Sequence, residues 1–386
     1  MKKALVILLA IFMVGAAFAD DVVAPEVSGS ASVTWGYDLQ TGGSGFSNAT
    51  DVAVTFPFVA SGSKTKGGDD MYGEITVSNF GLKFVQKEGD GAGDEENYFA
   101  DVDGDGDTTV SISAKIVLSP SFNVGIYSEP DTSIGYTDNI SLAADTDVAA
   151  AGVGGVSLNY TSDMFNLSGL VVSQGPEKDG TSNNYAGKVW ASVKPADVFS
   201  LEGAFVYNRD WNSSMDAGVK AVVTVNPLTL TLASDMALQP TLAYDFRADA
   251  ALVLVKDVAT LNLAYFTDQF TEMEASADVS GTVSIVTYGV KFVATDLTGT
   301  LGWKVAAKAS FAFAEDLTLA ANFSYSDAGA YDLVYDDDNS AISLTMGPKF
   351  HSIDNTTFTV KYATLAGNSS GVSDKGELSL TASITF

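Results

Sequence analysis

Apolar and polar residues alternate with a period of two over long stretches of this chain. Val27, Gly29, Ala31, Val33, Trp35, Tyr37 and Leu39 fall on one face of an extended segment, and Ser28, Ser30, Ser32, Thr34, Gly36 and Asp38 fall on the other. Val110 to Leu118, Phe199 to Tyr207, Leu317 to Tyr325 and Leu378 to Phe386 repeat the pattern, each with an apolar set facing away from a set rich in Ser, Thr and Asn. The predicted strands run to about nine to thirteen residues, longer than the five or six usual in soluble sheets. That length suits a tilted strand crossing a bilayer, which needs about nine to eleven residues.

Short turn signals separate these strands at Ser119-Pro120-Ser121, Ser162-Asp163-Met164, Lys194 to Asp197, Asn226-Pro227, Lys256-Asp257, Thr295-Asp296 and Glu315-Asp316. Most lie about 30 to 40 residues apart, room for two tilted strands and one longer loop. The Asp296 and Glu315 turns are too close together for that unit. The expected fold is therefore all-β, a transmembrane antiparallel up-and-down barrel of about 16 strands, with 18 as the next even number. Its first strand, near Val27 to Leu39, should pair with its last, near Glu377 to Phe386. Trp35, Tyr37, Tyr127, Tyr160, Tyr207, Tyr244, Tyr265, Tyr325 and Tyr362 sit near strand ends, where amphipathic rings meet a headgroup boundary.

Composition narrows the picture. The chain has 386 residues with 48 acidic and 20 basic side chains, a formal charge of -28, one histidine and no cysteine. Such a balance repels nucleic-acid phosphates, so no nucleic-acid partner is expected. Thiolate chemistry, zinc ribbons, iron–sulfur clusters and a lipid-modified cysteine are ruled out by the missing thiols. At the amino end, Lys2 and Lys3 precede an apolar run from Ala4 to Gly15 and the small-x-small triplet Ala17-Phe18-Ala19. Residues 1–19 read as a cleaved export signal and residues 20–386 as the barrel. A variant of this organisation makes residues 20 to about 110 a separate domain, with Gly89 to Gly106 as linker.

Negative charge concentrates in the expected long loops, above all residues 86–108, where Lys87 is the single basic residue. Within it, Asp101, Asp103, Asp105 and Asp107 alternate as D-x-D-x-D-G-D, and carboxylates so spaced can wrap a hard cation. Position twelve of that frame is Ile112 rather than a bidentate Glu, so weak calcium binding is the most the string implies, against a plain solvated loop. No other cofactor is expected. His351 beside Ser352 raises a Ser-His hydrolase, yet no G-x-S-x-G accompanies it and a structural histidine is the favoured reading. No catalytic residue is named, and the chain reads as a non-enzyme.

The export signal, the amphipathic strands and a last strand ending in Phe386 resemble the outer-membrane β-barrel family, although Ile384 stands where a second aromatic is usual. That resemblance implies outer-membrane lipid as surroundings and the barrel assembly machinery as a partner reading the strand that ends in Phe386. More narrowly, Val27-Ser28-Gly29, Trp35-Gly36-Tyr37-Asp38-Leu39 and Gly45-Phe46-Ser47-Asn48 resemble the opening of the major outer sheath proteins of treponemes and related spirochaetes. This second resemblance implies a surface porin and host contact, with a possible homo-oligomer and a host surface ligand. The function expected is passive diffusion of small hydrophilic solutes, weakly cation-selective because carboxylates outnumber basic groups. The rival is a surface adhesin or structural sheath protein without a pore.

Overall fold

A computed structural model describes residues 25–39, 42–59, 71–78, 85–87, 97–98, 111–128, 130–137, 154–176, 183–208, 214–269, 271–327, 340–364 and 376–386. The strands are β1 (Glu26–Asp38), β2 (Ser44–Val59), β3 (Tyr72–Ser78), β4 (Val85–Lys87), β5 (Asn97–Tyr98), β6 (Ser111–Ser119), β7 (Phe122–Tyr127) and β8 (Gly154–Thr161). They continue with β9 (Phe165–Pro176), β10 (Asn183–Ala196), β11 (Phe199–Asn208), β12 (Ser214–Val225), β13 (Leu228–Gln239), β14 (Ala243–Val255) and β15 (Ala259–Asp268). The remainder are β16 (Glu272–Val283), β17 (Val286–Thr295), β18 (Gly302–Ala314), β19 (Leu317–Ser326), β20 (Ser340–Met346), β21 (Thr356–Thr364) and β22 (Glu377–Thr385). One helical turn, α1 (Pro348–His351), lies between β20 and β21, and among the described residues no helix is long and apolar enough to cross a membrane.

Each strand pairs antiparallel with its neighbour in sequence, except that β3 pairs with β6 while the short β4 and β5 extend from β2. β1 pairs with β22 from Ser30 opposite Thr385 to Asp38 opposite Glu377. Beyond that ladder, the Gly29 N–H donates to the Phe386 carbonyl at 2.8 Å, and the Phe386 N–H returns a bond at 3.0 Å. The ring thus closes on itself and, among the described residues, β1 and β22 leave no edge between them, which is what a strand structure needs in a medium that offers no hydrogen bonds. Setting aside β4 and β5, 20 strands form the ring, and the expected 16 or 18 is corrected.

The shortfall has a physical cause. Call the end bearing the short turns the turn side and the other the loop side. Six loop-side connections, such as 240–242 and 269–271, are only three to six residues long, so strands occupy chain that the 30-to-40-residue unit assigned to loops. Asp296 lies on the loop side, and among the turn-side connections absent from the expected turns is Ser284-Ile285. Ser284 takes a positive φ of 57° there without any Gly, Pro, Asn or Asp to announce it. The described strands β1, β2 and β3 belong to the ring, which runs against a separate domain over residues 20 to about 110.

The two faces separate cleanly. Ala31, Val33, Trp35 and Tyr37 lie opposite Ile384, Ala382, Leu380 and Leu378, whereas Ser32, Thr34 and Gly36 lie opposite Ser383, Thr381 and Ser379. Val33 is 47% exposed and Leu380 47%, so the apolar face points outward. By register, every Asp, Glu, Lys and Arg with a partner on the described ring strands belongs to the inner face, and Lys194, in an irregularity of β10 at the turn-side rim, pairs with Asp197. A twelve-residue strand such as β12 is about 40 Å long, which at a tilt near 40° gives about 30 Å along the normal, the thickness of a hydrocarbon core. Outward aromatics mark both rims, with Trp35 stacked on Tyr37 and Trp303 against Tyr325 on the loop side and Tyr160 against Phe165 on the turn side.

Candidate functional site: the lumen and its inward loop

Small hydroxyl residues line much of the lumen. Thr318, Thr345, Thr359, Thr381 and Thr34 stand opposite one another across five adjacent strands, β19 to β22 and β1. Their hydroxyls bond across the strands, Thr34 to Thr381 at 2.9 Å and Thr345 to Thr359 at 3.3 Å. That row is polar and uncharged.

The facing arc is charged and carries a loop. After β7 the chain turns into the lumen, and residues 130–137 lie against β10 to β13. Ile134, only 4% exposed, packs with Ala204, Val206, Tyr136 and Trp190. The seat exists because one inward row reads Trp190, Ala204, Gly218, Asp235. Small residues in the middle make room; a Cβ at Gly218 would lie 2.5 Å from Ile134 Cγ2 and 2.6 Å from Tyr136 Cδ2. Asp235 then holds the backbone. Its Oδ2 accepts from the Tyr136 N–H at 2.7 Å, the Thr137 N–H at 2.8 Å and the Thr137 hydroxyl at 2.9 Å.

Two cations complete the attachment. Lys188 Nζ donates to the Ser133 carbonyl at 2.6 Å, and Lys220 Nζ lies 5.6 Å from the centre of the Tyr136 ring. The Tyr136 hydroxyl is pushed well above its ordinary pKa by burial and by a hydrogen bond to Glu202, so it stays a neutral donor. Asp131 accepts from the Ser133 hydroxyl at 2.6 Å and N–H at 2.8 Å. Burial raises its pKa, but these bonds and the charge of Lys188 outweigh that and hold it below the ordinary carboxylate value.

Charge is graded along the same arc. Asp235, Asp245, Asp268 and Glu272 stand in direct register across β13 to β16, a row of carboxylates toward the loop-side mouth. Deeper in, opposite charges alternate. Arg247 Nε meets Asp249 at 3.0 and 3.1 Å, the Asn262 amide donates to Asp278 at 2.8 Å, and Lys291 stands opposite Asp278. Lys308 and Lys361 also face the lumen.

Of the residues singled out from sequence, Asp101, Asp103, Asp105 and Asp107 lie outside the described residues, as do the 1–19 segment and most of 86–108. His351 ends α1, accepts from the Ile353 N–H at 3.2 Å through Nδ1, and meets Phe358 edge-on at 4.9 Å, a turn-stabilising place. Tyr127 is corrected from the rim to the lumen, where its ring folds back over Gly125 and its hydroxyl lies 3.3 Å from Ser157. Sequence reasoning missed the inward loop entirely. The available signal was Gly218 between Ala217 and Val219 in a strand with no turn to make, a sign of close approach by another segment.

No protein-family model matches the chain. It is similar to the major outer membrane protein MspA of Treponema maltophilum, 27% identical over 256 residues that cover 60% of this chain and 44% of that protein. It is also similar to the major surface protein MspTL of Treponema lecithinolyticum, 34% identical over 131 residues, 33% of this chain and 21% of that protein. The chain therefore matches less than half the length of these curated relatives. Among solved structures, a porin mutant of Rhodopseudomonas blastica aligns over 94% of this chain and all of its own at 11% identity, with a TM-score of 0.39. Pseudomonas aeruginosa OpdQ aligns over 94% of this chain and 97% of its own at 11% identity, with a TM-score of 0.48.

Proposed function

We propose that the protein is a porin of the bacterial outer membrane, a passive channel for small hydrophilic solutes, narrowed by the loop at residues 130–137. The observation that carries this reading is the closed 20-strand ring with an apolar exterior and a polar lumen. A ring of that size is too wide for wall side chains to fill. The names of the two treponemal relatives support the same location. Residues 1–19 act as the export signal, the lipid of the outer membrane and the assembly machinery reading the Phe386 strand are the partners, and no catalysis or cofactor is assigned.

Weak cation preference belongs to the proposal. Its support is the carboxylate row Asp235, Asp245, Asp268 and Glu272 toward the mouth, which raises the local cation concentration. The deeper Arg247, Lys291, Lys308 and Lys361 keep the preference small. Planar-bilayer recording of detergent-folded protein tests both parts. Discrete steps with a reversal potential shifted toward the cation are expected, a shift toward chloride contradicts the selectivity, and absence of steps contradicts the channel.

A further inference from the structure

We infer that the cleft between the inward loop and the β7–β10 wall is a binding subsite for a neutral, polyhydroxylated solute of mono- or disaccharide size. The inference rests on the pore reading and adds a substrate class to it. The cleft beneath the loop measures about 440 Å³, and another lumenal depression, further round the charged arc, about 340 Å³. Its floor is two inward rows, Ser157, Leu170, Lys188 and Asn159, Ser168, Trp190, with Tyr127 and Asp131 at its sides.

Three properties of this lining converge on sugar chemistry. First, two aromatic rings border it and both are held in place: the Trp190 indole N–H donates to Glu202 at 2.8 Å, and Tyr127 lies over Gly125 beside Ser157. Fixed rings offer the apolar faces against which the C–H side of a pyranose packs. Second, the polar groups both donate and accept. The Asn159 amide donates to Asn123 at 2.9 Å and Ser157 at 2.8 Å, while its oxygen accepts from Ser168 at 2.6 Å, a network of amide and hydroxyl groups. Such groups match hydroxyls, which also do both. Third, the two charged groups cancel. Asp131 and Lys188 attract one another and both are tied to Ser133, so the cleft presents no net charge to a solute.

The second depression, around Arg247, Asp249, Asn262, Asp278 and Lys291, makes the contrast. It has no aromatic ring, and it carries four charged side chains where the cleft beneath the loop carries two.

The test uses glucose and maltose as probes on the full chain folded in detergent, read by tryptophan fluorescence and by single-channel recording in planar bilayers. Each sugar should titrate the fluorescence and interrupt the current. Asn159→Ala should weaken binding about tenfold, as expected for one lost hydrogen-bonding group, and Asn262→Ala on the other wall should leave the sugar affinity as it was. Where Asn159→Ala does not fold, Ser168→Ala replaces it. Conducting channels that ignore both sugars, with flat fluorescence, overturn the subsite and leave the pore standing. Sugar titration in protein that forms no channels keeps the subsite and overturns the pore. Block by diglycine with none by sugar overturns the solute class, and equal weakening by Asn262→Ala overturns the location.

Discussion

Two residues decide whether the lumen is narrowed. Asp235 accepts three hydrogen bonds from the loop through one oxygen, and Gly218 leaves the hollow that Ile134 and Tyr136 fill. Asp235→Ala leaves two loop N–H groups to find other partners, at about 1–3 kcal/mol for each that finds none. Gly218→Val fills the hollow from the wall side. Both should release the loop and give larger single-channel steps than the parent protein; unchanged steps in both would show that the loop does not limit the pore. Asp131 adds a pH dependence of definite sign. Its depressed pKa means that its contribution to docking is present above the ordinary value of 3.8 and lost as pH falls through the lower docked value. Step size against pH should therefore be flat with respect to this residue near neutrality. Below about pH 4 it should rise more steeply than in Asp131→Asn, which lacks the titrating group.

At the level of strands, face assignment was legible and strand number was not. Each strand meets two solvents, and the alternation from Val27 to Leu39 or from Leu378 to Phe386 records both at once, so the outward set could be read without coordinates. Strand number depends on where strands stop. A loop-side connection of three residues such as 269–271, or a turn such as Ser284-Ile285, leaves almost no compositional trace. The inward loop was illegible for another reason: its partner Asp235 is 99 residues from Tyr136, and nothing local to either announces the pairing. The faces themselves can be measured. Ala382 lies opposite Val33 and Phe358 on the outer face, and Thr381 lies opposite Thr34 and Thr359 on the inner. Ala382→Arg should cost about 2–4 kcal/mol in urea unfolding from lipid vesicles if the site is near the midplane, and Thr381→Arg far less. Equal costs would contradict the assignment of sides.

For the whole molecule, closure is the property from which the others descend. An open sheet of these strands would expose unpaired backbone groups along β1 and β22 to hydrocarbon, and a lumen exists only if those two edges meet. Thr34 and Thr381 offer a direct test because the chain contains no cysteine, so a pair introduced there has no competitor. Counting along the ladder from the doubly bonded pair Gly29 and Phe386, Thr34 and Thr381 fall at a position that exchanges no backbone hydrogen bonds. At such positions antiparallel Cα atoms approach to about 4.5 Å, inside the range that a disulfide bridges, and the two hydroxyl oxygens already lie 2.9 Å apart. The double variant Thr34→Cys, Thr381→Cys should oxidise within the folded protein, lose both free thiols, and run as a compact, reducible band on gels after boiling. Thr34→Cys with Thr359→Cys, one strand further round the ring, should keep its thiols. If the first pair stays reduced, or if both pairs link equally, the first and last strands are not neighbours and the ring is open.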